Sequence, residues 1–226
     1  EEVCRQKVYR TNLPKISIII PFYNDDWMLF MRTIHSIIRK TRLDLIEEII
    51  LVDDYSSYDH LKTKLEDYVE TLPVKFKIIR THTRLGIVAN RVLGARNARA
   101  PVIVYIDSHV EVLTGWLEPI LDRFIDNLDL VVMPNISMIH RNDMAVEFKY
   151  NAGKTMAINW ALQFRWIDTK WFEMDKPTPL YDPKPTPVAI FSVLAIGREF
   201  FERIGYLDIG ELLIIILIMI SFMKTL

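Results

Sequence analysis

A chain of 226 residues can hold one α/β domain with a proper core, or two small ones. Half of its residues are apolar, and 28 basic side chains nearly balance 29 acidic ones for a net charge of −1. That is the balance of an ordinary folded domain, and it excludes nucleic acid or an anionic membrane as partners attracted by net charge.

The chain opens on Glu1-Glu2-Val3, with no methionine, no charged leader and no apolar segment, which reads as a fragment and leaves location unspecified. Cys4 is the only cysteine, so it is a free thiol or half of a bridge whose partner lies elsewhere. Ile16 to Ile20 is an apolar run ended by Pro21, suited to a strand buried on both faces. From Trp27 to Lys40 the residues Trp27, Phe30, Met31, Ile34, Ile37 and Ile38 recur at helical spacing. The same rhythm then predicts a strand at Glu48–Val52, a helix at Tyr58–Val69 and a strand at Phe76–Ile79. A helix at Ile87–Ala98, a strand at Val102–Ile106, a helix at Trp116–Ile125 and a strand at Leu130–Met133 follow. Alternation of this kind predicts βαβ units, a mostly parallel sheet with helices on both faces, and every strand's carboxyl end on one ligand-binding edge.

Beyond Met133 the rhythm weakens. Phe164-Arg165-Trp166 and Trp171-Phe172 belong to an aromatic stretch without a clear period, and Lys176–Pro187 carries five prolines and reads as a loop. Leu212 to Met223 is almost wholly apolar but too short to cross a bilayer as a helix, which favours a buried element or an exposed apolar end.

Three segments after predicted strands could carry chemistry. Asp107-Ser108-His109 follows the fourth strand, where residues two apart project to the same side, so a carboxylate and an imidazole can meet one cation. That donor pair suits Mn²⁺ filled out by diphosphate oxygens and water. The alternative is a turn capped by the aspartate with the histidine in solvent. Asp53-Asp54 ends the second strand, placed either to accept hydrogen bonds from a ligand or to cap the turn into Ser56-Ser57. Arg84-Leu85-Gly86 precedes a helix, where an arginine beside free N–H groups suits a diphosphate, or simply sits solvated in a turn. No glycine-rich dinucleotide or P-loop pattern occurs, and His35, His60, His82 and His140 stand singly, so zinc chemistry has no support. Asn135-Ile136-Ser137 is an N-glycosylation sequon.

The order of these blocks resembles the polypeptide N-acetylgalactosaminyltransferases, whose catalytic domains have the GT-A fold. Phe22-Tyr23-Asn24-Asp25 resembles that family's "FHNE" strand ending, and Ile46 through Asp54 resembles its second strand nearly residue for residue. Asp107-Ser108-His109 with Glu111, then Trp116-Leu117-Glu118-Pro119, matches its metal-binding segment, and Trp160 to Trp166 resembles its W-x-L-x-F-[RK]-W block. The likeness spans about Cys4 to Asp208. It implies transfer of N-acetylgalactosamine from UDP-GalNAc to Ser or Thr of polypeptides with Mn²⁺, in the Golgi lumen, by a type II membrane protein anchored upstream. It also implies Asp107 and His109 as metal ligands, Ser108 beside the nucleotide, and Tyr23, Asp54 and Arg84 on the nucleotide sugar. Phe164 and Trp166 would line the acceptor-peptide groove.

Several positions depart from the pattern. Phe191-Ser192 replace a glycine pair that lies against the donor, Val110 replaces a cysteine, and Tyr206 to Gly210 run into Glu211 and the apolar tail instead of the family's next block. The expectation is therefore an N-terminal extension over 1–12, a GT-A domain over 13–210 that is incomplete at its C-terminus, and a tail over 211–226 foreign to the family. As it stands the chain is expected to be inactive. The alternatives are a non-catalytic nucleotide- or peptide-binding relative, or another GT-A transferase, although such enzymes more commonly carry D-x-D than this D-S-H.

Overall fold

A computed structural model describes residues 7–140, 143–147, 154–161, 163–168, 183, 185, 186, 188, 189 and 191–209. Cys4, Trp171-Phe172, most of the proline-rich loop and the apolar tail lie outside the described residues. The chain divides into two compact units. One is drawn from Tyr9–Met133 and Ile190–Ile214, the other from Glu1–Val8, Pro134–Ala189 and Ile215–Leu226.

The first unit is built on a six-stranded sheet. Its strands are β1 (Ile16–Phe22), β2 (Ile46–Asp53), β3 (Phe76–Arg80), β4 (Val102–Ile106), β5 (Val131–Val132) and, much later in the chain, β10 (Val193–Gly197), in the order β3-β2-β1-β4-β10-β5. β3, β2, β1 and β4 run parallel. The chain steps outward from β1 to β3, then returns to β4 on the other side, so the order reverses between β1 and β4. Such a reversal opens a crevice at the strands' carboxyl ends.

Every residue of β1 and of β4 is buried, because both faces of the sheet are covered. Ile18, Ile20, Ile49, Leu51, Val104 and Ile106 share one core with helices α1 (Trp27–Lys40), α2 (Thr63–Glu70) and α4 (Glu118–Phe124). The intervening residues face the opposite way. There α3 (Ile87–Asn97) lies against Ile19 and Val52, and Phe201 of α5 (Arg198–Arg203) meets the Tyr105 ring at 6.2 Å. Asp26 starts α1 by accepting hydrogen bonds from the Met28 and Leu29 amides at 2.9 and 3.1 Å.

The structure differs from the sequence reading in four places. β1 continues through Pro21 to Phe22; its pairing with β4 ends at Ile19↔Tyr105, so the missing proline N–H costs no bond on that side. The helix expected at 58–69 is a 3₁₀ turn at Asp59–Leu61 followed by α2 alone. The helix and strand expected at 116–125 and 130–133 shorten to Glu118–Phe124 and Val131–Val132. β10 runs antiparallel to β4 and β5, so its amino end, not its carboxyl end, reaches the edge where the parallel strands finish. Among the described residues no helix lies between β5 and β10, and the chain that left the sheet after β5 re-enters from the same edge.

The second unit contains two antiparallel pairs. β6 (Met138–Ile139) pairs with β7 (Val146–Glu147), and β8 (Lys154–Ile158) pairs with β9 (Phe164–Asp168).

Candidate functional site

Tyr23, Asp54 and Arg84 follow β1, β2 and β3, and the fold brings them together. The Asp54 amide donates to the Phe22 carbonyl at 2.9 Å and so extends the pairing of β1 with β2. Its side chain, 6% exposed, then turns towards the start of α3. There it accepts from Arg84 Nε at 2.9 Å, from the Leu85 amide at 2.8 Å and from the Gly86 amide at 3.2 and 3.3 Å. Two of these donors are backbone N–H groups at a helix start, which have no partner within the helix. Gly86 has φ +86°, a conformation glycine enters without a Cβ penalty. The Arg84 guanidinium is thereby held over the Tyr23 ring, its central carbon 3.4 Å from the ring centre. Asp53 points elsewhere. It accepts from the Ser56 amide at 2.8 Å and pairs with Arg80.

The loop after β4 carries Asp107, Ser108 and His109. Asp107 donates its amide to the Ser192 carbonyl at 3.0 Å, just before β10. Its carboxylate is about one-fifth exposed, and its Oδ1 accepts from Arg91 Nη2 at 3.2 Å. Arg91 projects from α3 with its side chain only 7% exposed. Its guanidinium lies 4.7 Å from the centre of the Phe191 ring, and its carbonyl accepts from the Tyr105 hydroxyl at 2.9 Å. Burial pushes the Arg91 guanidinium below its ordinary value, with the Asp107 charge opposing that shift, and burial pushes the Tyr105 phenol up. Beside Arg91, the Asn90 amide is 1% exposed and neither of its polar atoms has a partner among the described residues. Ser108 is buried, whereas His109 is exposed, with Nδ1 3.4 Å from Ser108 Oγ.

A polar stripe on α1 grips this loop. Thr33, fully buried, donates through Oγ1 to the Ser108 carbonyl at 2.8 Å and accepts from the Val110 amide at 3.0 Å. Ser36 Oγ accepts from the Val112 amide at 3.1 Å. Glu111 accepts from Arg32 Nε at 2.9 Å and Lys40 Nζ at 3.0 Å, and these two cations hold its carboxyl below the usual carboxylate range.

Phe164 and Trp166 lie in the second unit, on β9, opposite Ile158 and Met156 in register. Two apart on one strand, they share a face, and they are 41% and 51% exposed. His35, His60 and His140 contact Tyr68, the Asp25 carbonyl and Glu147 in turn.

Sequence reasoning missed Arg91 and the α1 stripe. Only the stripe carried a signal: Thr33 and Ser36 fall on the apolar face of a clearly amphipathic helix, whereas the helix of Asn90 and Arg91 has no such period.

Both groups follow strands on either side of the point where the strand order reverses: Asp54 with Arg84 and Tyr23 on one side, Asp107 with Arg91 and the exposed His109 on the other. Residues 17–205 match the family model described as Glycosyl transferase family 2. A putative polypeptide N-acetylgalactosaminyltransferase 9 of Drosophila melanogaster is 41% identical over 203 residues, which is 89% of this chain and 31% of that protein. An inactive polypeptide N-acetylgalactosaminyltransferase-like protein 5 of Mus musculus is 36% identical over 210 residues, 93% of this chain and 48% of that one. The chain thus spans from just under a third to about half of the length of these relatives. Among solved structures, GalNAc-T7 with UDP, GalNAc and Mn²⁺ superposes with a TM-score of 0.82 at 30% identity, over 89% of this chain and 38% of that chain.

Proposed function

The chain belongs to glycosyl transferase family 2, and on that premise we propose that it is the nucleotide-sugar-binding part of a polypeptide N-acetylgalactosaminyltransferase. The complete protein would transfer N-acetylgalactosamine from UDP-GalNAc to Ser or Thr of a polypeptide, in the Golgi lumen, anchored by a membrane segment upstream. One observation carries the reading. A carboxylate and an imidazole follow the strand beside the reversal of strand order, in a fold that superposes on a transferase holding UDP, GalNAc and Mn²⁺.

The donor set fits a hard divalent cation. Asp107 offers the oxygen that Arg91 does not engage, and His109 an exposed imidazole nitrogen. Among the described residues no group of three His, Cys, Asp or Glu could hold a metal. Asp107 and His109 would therefore supply only part of the coordination of a bound Mn²⁺, leaving positions for diphosphate oxygens and water. When bound, that cation would neutralise the leaving diphosphate. The rest is positioning. Tyr23 and Arg84 form a cation-bearing aromatic platform for the nucleotide sugar, which Asp54 holds in place, and Ser108 lies beside it. Phe164 and Trp166 offer an exposed aromatic face for an acceptor peptide.

A second reading, a binding protein without turnover, is favoured by Phe191, whose ring packs on Arg91 and on Tyr105 at 5.4 Å. Arg91 already neutralises Asp107 from inside, and a large side chain occupies the segment leading into β10. Calorimetry of the full chain with UDP, with and without Mn²⁺, tests the shared premise. Weak Mn²⁺-dependent binding is expected, and Asp107→Ala should abolish its metal-dependent part. Binding that ignores either the metal or the substitution rejects the assigned site.

A further inference from the structure

Asn135-Ile136-Ser137 is the only N-x-S/T sequence in the chain. It lies between β5 and β6, outside helix and strand, with Asn135 and Ile136 exposed. Neither the Asn135 amide nor the Ser137 hydroxyl is held by another described residue, so both can turn towards an external enzyme without breaking a native bond. Residues 136 and 138 are not proline, so the backbone can adopt the compact turn that brings the hydroxyl back to the amide. We propose that Asn135 is an N-glycosylation site. In the reaction Asn135 Nδ2 attacks C1 of a lipid-diphosphate-linked oligosaccharide; the N–C1 bond forms, the C1–O bond to the lipid diphosphate breaks, and the amide loses one proton. The glycan then covers Ile136 and Met138, which stand 39% and 56% exposed beside it.

Modification in the native setting rests on the lumenal location proposed above, so the test supplies entry separately. The full chain is expressed in eukaryotic cells behind a cleavable secretory signal, and its mobility is compared before and after peptide N-glycosidase. A glycosidase-sensitive shift is expected, lost in Asn135→Gln and in Ser137→Ala and kept in Ser137→Thr. No shift, while a co-expressed control glycoprotein shifts normally, overturns the site. A shift here combined with exclusion of the natural protein from the lumen would reject the location and leave the site standing.

The stripe on α1 carries a second, independent inference. We infer that Thr33 is a positioning residue for the candidate cation site, because one buried hydroxyl holds the backbone on both sides of His109. Ser36 and the Glu111 ion pairs extend the grip. Thr33→Val keeps the shape and removes both bonds, leaving the Ser108 carbonyl and Val110 amide without it. Mn²⁺-dependent UDP binding should weaken about tenfold or more, as when other supports of a metal ligand are removed. UDP binding without metal should hold, and Thr33→Ser should restore the wild-type value. Should Thr33→Val fail to fold, Ser36→Ala makes the same comparison. Wild-type affinity in the valine variant, or equal loss in valine and serine variants, overturns the inference. A wild-type chain that binds nothing rejects instead the site on which it rests.

Discussion

Asp54 has both carboxylate oxygens engaged by its own chain, and that sets what it can do. A carboxylate has about four acceptor positions, and here Arg84, Leu85 and Gly86 take them. Its first task is to fix the start of α3 and aim Arg84 over Tyr23; contact with a base would need one of these bonds to give way. Asp54→Asn places an amide N–H₂ against these donors and leaves a buried group unpaired, which costs about 1–3 kcal/mol. Urea unfolding should register that loss at neutral pH. An unchanged midpoint would show the carboxylate is not pinning the helix. The acidic pair was legible in the sequence because an apolar run stops abruptly at Asp53-Asp54, but its wiring was not: the partners lie 30 to 32 residues away. Arg91 was hidden for a related reason. A charged residue in a short helix reads as solvated, and only the tertiary placement of Asp107 and Phe191 makes it a buried cation.

The elements were legible where one face or both faces of a strand are buried by long-range packing, as in β1 to β4, and poorly legible where they are short. β10 follows a proline-rich stretch that hides its start, and its antiparallel sense comes from where the chain re-enters the sheet. α3 has another requirement, close approach. A Cβ on Gly94 would stand 2.5 Å from Ile19 Cγ2 and 3.3 Å from Val52 Cγ2. Alanine in a helix gains about 1 kcal/mol over glycine, whereas forcing a methyl into a packed core costs about 1–3 kcal/mol. Ile19 Cγ2 sits on a branched, fully buried side chain that cannot swing aside, so the clash wins. Gly94→Ala should lower the thermal midpoint, and because Arg84 leads into α3 and Arg91 lies on it, it should weaken nucleotide binding as well. A stabilised Gly94→Ala variant would mean the helix stands off the sheet.

At the scale of the whole molecule, the sheet order places two polar clusters on one edge, and the second unit presents an aromatic strand face. The mostly parallel sheet and its ligand edge followed from the strand-helix alternation. Tyr23, Asp54 and Asp107 stand directly after their strands, where the sequence placed them. The hairpins of the second unit did not follow, since β6 and β7 have two residues each and β9 is exposed on both faces, leaving almost no apolar period to read. No UDP release is expected from this chain with a Ser/Thr-rich peptide, given Phe191 and the Arg91–Asp107 pair; sustained turnover in a UDP-release assay would count against the non-catalytic reading. The most direct measurement is a crystal structure grown with UDP and Mn²⁺, with manganese located by its anomalous signal. The account predicts one manganese peak bonded to Asp107 and His109 and to diphosphate oxygens, with the nucleotide reaching towards Tyr23 and Arg84. Manganese bound elsewhere, or UDP seated without contact to Asp107 or His109, would contradict it.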